Sequence, residues 1–256
     1  MQFWTQYASV SLDTGGAVQP GQATTLRFSL TDKATGQPVE GVEVAHEAPV
    51  HLIIASSDLG YFAHIHPEPQ AGAAGEFAVD HTFPRAGAYV MYAEFALEGK
   101  TDEVHRFDVR AGGQPGAAAS LTEELSPATS GDYTASITPQ GEVKAGQPAG
   151  FVLKIERGGQ PVGDLQPYLG AAAHVVVLDE TAGGFAHVHA VAGSEPPAAM
   201  GEGAMEEGGE EMEVPMSFGP QVSFTHTFPE PGPHKVWAQV EHDGQVLTFE
   251  WVVEAK

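Results

Sequence analysis

Apolar and polar residues alternate along this chain in runs too short for helices. Residues 25–30 read Thr-Leu-Arg-Phe-Ser-Leu, and comparable stretches recur between Gly-, Pro-, Asp- and Ser-rich turns. Period-2 alternation bounded by turn residues is the signature of half-buried strands. In the first half it predicts strands over Tyr7–Leu12, Thr25–Leu30, Val42–Ala45, Val50–Ala55, Tyr61–His66, Glu76–Phe83, Ala88–Phe95 and Val104–Val109. Strands of this length and spacing predict an all-β chain and an antiparallel β-sandwich of immunoglobulin type. The Cys…Trp…Cys hallmark of antibody domains is absent, which leaves an immunoglobulin-like or cupredoxin-like topology.

The pattern occurs twice. Gly21-Gln22 through Gln37-Pro38-Val39 matches Gly146-Gln147 through Gln160-Pro161-Val162. His51-Leu-Ile-Ile-Ala with Phe62-Ala-His64-Ile-His66 matches His174-Val-Val-Val-Leu with Phe185-Ala-His187-Val-His189, every histidine displaced by 123 positions. His81-Thr-Phe-Pro and Tyr92-Ala-Glu-Phe95 match His226-Thr-Phe-Pro and Trp237-Ala-Gln-Val240 at a displacement of 145. The difference of 22 is an insertion in the second copy, at about residues 193–216. Several motifs kept in order predict tandem homologous sandwiches over 1–111 and 128–256, joined by a Gly/Ala-rich linker over 112–127.

Two of the strands flank Ser56-Ser-Asp-Leu-Gly60 and predict a hairpin. Alternation puts His64 and His66 on one face and Ile65 on the other. Pairing apolar with apolar sets Leu52 against Ile65 and Ile54 against Ala63. His51 then stands opposite His66, with His64 on the diagonal. The second copy gives Val175 against Val188 and His174 against His189, beside His187. Direct and diagonal neighbours in such a ladder lie about 5 Å and about 7 Å apart, close enough for three imidazoles to share one ion. A slip of one residue would send the upstream histidine to the other face.

Composition narrows the chemistry. Eleven Lys and Arg stand against 34 Asp and Glu, a net charge of −23. That charge argues against nucleic acid and against docking on anionic lipid, and favours a cationic ligand or partner. No run approaches the roughly 18–20 apolar residues of a membrane span. The first residues lack the basic-then-apolar order of a signal peptide, which leaves a cytoplasmic protein or a mature exported one as alternatives. There is no cysteine, so disulfides, thiolate catalysis, iron–sulfur clusters and blue-copper centres are excluded. With 12 histidines the ligand set is imidazole, which suits Cu(II), with Zn(II) as the alternative.

His51, His64, His66, His174, His187 and His189 are therefore the candidate metal ligands. The competing reading is that they are hydrogen-bonded structural histidines on a sheet face. Weaker candidates follow. His46 lies five residues before His51, but Leu169 occupies its place in the second copy. His81 and His226 share strand parity with core phenylalanines and are expected to point inward. His105, His234 and His242 lack repeated partners and are expected at the surface. Met200, Met205, Met212 and Met216 sit among seven glutamates in the insertion, where thioethers could take Cu(I), although a Gly/Glu-rich stretch is equally a disordered loop. No hydrolase elbow, phosphate loop, dinucleotide fingerprint or H-E-x-x-H appears, and no enzymatic activity is expected.

The stretch His46-Glu-Ala-Pro-Val-His51 through Phe62-Ala-His64-Ile-His66-Pro-Glu68 resembles bacterial exported domains of the YtkA-like type. So does Pro167-Tyr-Leu-Gly-Ala-Ala-Ala-His174 with Phe185-Ala-His187-Val-His189 and Phe228-Pro-Glu-Pro-Gly. The resemblance implies an immunoglobulin-like sandwich, a periplasmic or secreted location, and a role in copper or other heavy-metal handling beside a metal-transport or envelope protein. The second copy departs from it after His189, where Ala190 replaces the proline. The expectation is a non-enzymatic protein that buffers or delivers a metal ion through one histidine cluster per domain. A structural or interaction module of an envelope complex is the alternative.

Overall fold

The computed structural model describes residues 5–114, 121–198 and 214–256. Every regular element among them is a β-strand, and the chain divides into two compact units, 2–120 and 121–256. Among the described residues no helix is long and apolar enough to cross a membrane.

The first unit is built from β1 (Ala8–Asp13), β2 (Ala23–Asp32), β3 (His51–Ser56), β4 (Phe62–Ile65), β5 (Glu68–Pro69), β6 (Glu76–Thr82), β7 (Gly87–Phe95) and β8 (Glu103–Ala111). They form two antiparallel sheets of order β1-β2-β6-β5 and β4-β3-β7-β8. Alternation along each strand sends one set of side chains inward. Leu26, Phe28 and Leu30 of β2 meet Leu52 and Ile54 of β3 and Tyr89, Met91 and Ala93 of β7 in one core. This is an immunoglobulin-like sandwich. Val42–Ala45, expected as a strand, makes only isolated bridges from Val42 to Leu97 and from Ala45 to Ala48. The short β5, not anticipated, carries on from β4 into the opposite sheet. Pro67 interrupts the run between them, since a proline has no N–H for a ladder.

The second unit repeats the plan with β9 (Ala128–Ser130), β10 (Tyr133–Pro139), β11 (Pro148–Arg157), β12 (Gln160–Pro161), β13 (Ala173–Asp179), β14 (Phe185–Ala192), β15 (Gln221–Thr227), β16 (Gly232–His242) and β17 (Gln245–Ala255). With Ala190 in place of proline, β14 runs unbroken. It pairs with β13 over Phe185–Ala190 and with β15 at Val191 and Ala192, so one strand joins both sheets. Phe151, Phe224, Phe228, Phe249 and Trp251 fill the core. The linker expected over 112–127 ends earlier: Glu124 exchanges backbone hydrogen bonds with Val252 of β17, at 2.9 and 3.1 Å.

Each β3–β4 or β13–β14 hairpin is closed by an aspartate. Asp58 Oδ1 accepts from Ser56 Oγ, Gly60 N and Arg85 Nη2 at 2.5, 3.1 and 2.8 Å. Burial opposes its ionisation, but these donors prevail and hold its carboxyl below the ordinary value. Asp179 accepts from the backbone N–H groups of Thr181, Gly183 and Gly184 and from the Thr181 hydroxyl, with the same net direction.

A candidate metal centre in each domain

The observed register is the one that the apolar pattern dictates. Leu52 pairs with Ile65 and Ile54 with Ala63, and in the second domain Val175 pairs with Val188 and His174 with His189. Leu52 and Ile54 belong to the core, so His51, His64 and His66 occupy the opposite face of their hairpin. One nitrogen from each of the three lies within 4.8 Å of the others.

The contacts are specific. His51 Nδ1 is 3.1 Å from His64 Nε2, and His66 Nε2 is 3.3 Å from the same atom. In the second domain His174 Nδ1 is 2.9 Å from His187 Nε2, and the His189 ring centroid stands 4.7 Å from that of His174 and 4.9 Å from that of His187. Two imidazole nitrogens bound about 2.0–2.1 Å from one ion, at angles between about 90° and 109°, are separated by about 2.9–3.3 Å. The nitrogen pairs His51–His64, His64–His66 and His174–His187 stand at ligand-to-ligand spacing.

A backbone carbonyl sets the tautomer of the upstream histidine. His51 Nε2 is 3.0 Å from Ala45 O, and His174 Nε2 is 3.0 Å from Tyr168 O. A carbonyl can only accept, so Nε2 carries the hydrogen and the neutral ring directs its Nδ1 lone pair at the other imidazoles. Orientation of a ligating imidazole through its second nitrogen is the usual outer shell of a histidine metal site.

The carbonyl is positioned by a tight turn. Ala45 and Ala48 exchange backbone hydrogen bonds around His46 and Glu47, whose φ angles are 48° and 63°. Tyr168 and Ala171 do the same around Leu169 and Gly170, at 48° and 74°. Two successive left-handed residues make a type I′ turn, and three of these four are not glycine. Backbone held in such a sparsely populated region at the same place in both copies marks a local structure that its surroundings enforce.

Among the weaker candidates, His46 stands apart from the triplet of the first domain. The His46 ring centroid is 6.4 Å from that of His51, against 4.8–5.3 Å within the triplet. His81 and His226 point inward as expected, against Phe83 and Phe228. Burial, with the nearby His234 charge, pushes His226 down to about 4, and burial alone lowers His81. Met200, Met205 and Met212 lie outside the described residues; Met216 is 83% exposed.

The expectation that His105, His234 and His242 are surface residues is corrected: all three are buried. His105 sits opposite the core residue Ala93 and bonds Glu103 Oε2 at 2.9 Å. His234 packs on Phe228, and His242 lies between the Tyr133 hydroxyl and Asp164. Their inward parity follows from alternation, His105 in step with Phe107 and Val109 on β8, and His234 and His242 in step with Val236, Ala238 and Val240 on β16.

No functionally curated protein matches the chain. Among solved structures, Escherichia coli alpha-2-macroglobulin activated by trypsin is 10% identical at a TM-score of 0.32, over 100% of this chain and 16% of that one. Invasin, a bacterial integrin-binding protein, is 13% identical at 0.25, over 97% of this chain and 39% of that one. A putative membrane anchored protein from Corynebacterium diphtheriae is 9% identical at 0.25, over 98% and 57%. Neither function nor domain arrangement carries over at such scores. A domain family of unknown function, DUF8832, matches residues 5–113 and again 128–256, and the chain belongs to that family as a tandem pair of its domains.

Proposed function

We propose that each domain holds one transition-metal ion through its histidine triplet, Cu(II) in first place and Zn(II) as the alternative. The protein then buffers or delivers the ion outside the cytoplasm, in the periplasm or as a secreted protein, without catalysing a reaction. One observation carries the reading. In both copies a backbone carbonyl accepts from the Nε2–H of the upstream imidazole, and the unprotonated Nδ1 of that ring faces a second imidazole nitrogen at ligand spacing, 3.1 Å in the first copy and 2.9 Å in the second. On binding, the ion takes the place of the proton between His51 Nδ1 and His64 Nε2. The charge of −23 raises the local concentration of cations.

Titration of the chelator-stripped protein with Cu(II), followed by EPR, is expected to give two equivalents with nitrogen hyperfine structure. His64→Ala with His66→Ala should remove one of them. A stoichiometry unchanged by that double substitution would overturn the reading.

A second reading rests on the same distances. The 2.9 and 3.1 Å contacts also suit N–H···N hydrogen bonds, in which case the triplets brace the hairpins of an interaction module in an envelope complex. Copper or zinc would then leave the melting temperature unaltered, whereas a bound ion raises it by mass action.

A further inference from the structure

We propose that the two metal sites are unequal, because Glu94 adds a carboxylate to the first and Gln239 keeps the second neutral. This rests on the metal-binding reading above and extends it to the charge beside each site.

Sheet register carries the inference. In the first domain His51 pairs directly with Glu94 of β7, and in the second His174 pairs directly with Gln239 of β16. Directly opposed residues of an antiparallel pair project from the same face, with Cβ atoms about 4.5–5.5 Å apart. The neighbouring pair Leu52–Ala93 belongs to the core, so Glu94 shares the histidine face. Read across the sheets, the rows run His51, Glu94, Val104 and His189, His174, Gln239, Thr248.

The last member of each row separates the two cases. Gln239 Nε2 donates to Thr248 Oγ1 at 3.1 Å, which ties the amide to β17. Val104 stands at the place of that threonine and offers no hydroxyl. A carboxylate oxygen is an ordinary companion to imidazole on Zn(II) and Cu(II), and its charge acts on a divalent ion directly. An amide nitrogen is no ligand, and an amide oxygen brings no charge. By register the first site has an anionic side chain opposite its upstream histidine, and the second a neutral amide. At an effective dielectric constant near 20 one charge beside a divalent ion is worth at least about tenfold in affinity.

The test uses the full chain with Zn(II) as probe, competed against a chromophoric chelator at fixed pH and salt. Wild type is expected to fill in two steps with dissociation constants separated by about tenfold or more. His174→Ala with His189→Ala should abolish the weaker step, and His51→Ala with His66→Ala the tighter one. Glu94→Gln should bring the two constants within about threefold of each other, and Gln239→Glu should tighten the second site. The gain from Gln239→Glu does not depend on how well Glu94→Gln folds. Two equal sites, or two unequal sites whose ratio survives both substitutions, overturn the role of Glu94 and leave the metal-binding reading intact. Absence of any Zn(II) or Cu(II) uptake overturns both.

Discussion

His51 Nε2 lies 3.0 Å from the carbonyl oxygen of Ala45, and the same oxygen accepts the Ala48 N–H at 3.1 Å. The two lone pairs of one carbonyl thus close a turn and fix the tautomer of a ring six residues away. The second copy repeats this through Tyr168, His174 and Ala171. His51→Ala removes a buried ring that joins the turn to the hairpin. In chelator it should lower stability by about 2 kcal/mol, the loss of packing and of two hydrogen bonds, and His174→Ala should act alike in the second domain. With metal added, the stabilisation seen in wild type should fall by one site's share. Melting by circular dichroism, with and without Cu(II), reads both effects.

The hairpin register was legible from residue type alone. Leu52, Ile54, Ala63 and Ile65 must share the core face, and a slip of one residue would turn His64 into the core. The internal repeat made the same argument twice. What sequence did not reveal was how the upstream histidine is held. His46-Glu47 contains no glycine or asparagine, so nothing in the first copy announces two left-handed residues; only Gly170 in the second copy hints at them. The sheet switch after β4 was equally hidden. It depends on which sheet β6 offers for pairing, a long-range matter that Pro67 marks but does not explain.

The turn itself is testable by exchange between copies. Glu47 has φ of 63° and Gly170 has 74°. A left-handed conformation costs a side-chain-bearing residue about 1–2 kcal/mol, and glycine avoids that at some entropic cost in the unfolded chain. Glu47→Gly is expected to leave stability unchanged or to raise it by up to about 1 kcal/mol, while Gly170→Ala should lower it by about 1 kcal/mol. Urea midpoints compare the two directly. A loss of more than about 1 kcal/mol in Glu47→Gly would show that the Glu47 side chain, not the turn conformation, is what the first copy requires.

Stability should fall as the solution is acidified from neutrality, and His226 names the window. Its folded value is about 4, lowered from 6.5 by burial and by the nearby His234 charge. Between those values the unfolded chain takes up a proton that the native ring refuses. The stabilisation is complete above about pH 6.5 and is lost progressively down to about pH 4, to a total of about 3 kcal/mol. His226→Phe keeps an aromatic ring and removes the proton site, so the slope of unfolding free energy against pH should flatten in that window. A residual slope should persist, because burial lowers His81 too and outweighs the opposing Glu103 contact at His105. An unchanged profile in His226→Phe would refute the assignment.

Glu103 is fully buried, at 0% exposure, and its carboxylate anchors the start of β1. It accepts from the backbone N–H of Tyr7 and, at 3.0 Å, from that of Ala8, while His105 Nε2 bonds Oε2 at 2.9 Å. Three donors converge on one carboxylate that has left water, so each loses its partner if the carboxylate is deleted. Glu103→Ala should therefore cost about 3–5 kcal/mol, more than a typical core truncation to a smaller apolar residue, because buried donors are orphaned. Glu103→Gln retains one acceptor oxygen and turns a donor toward the others, so it should recover only part of that loss. Hydrogen exchange gives the readout specific to anchoring. Protection of the β1 amides should collapse in Glu103→Ala while that of β3 and β7 survives. Uniform loss across the domain would assign Glu103 to the general core, and preserved β1 protection would show that pairing with β2 alone holds the strand.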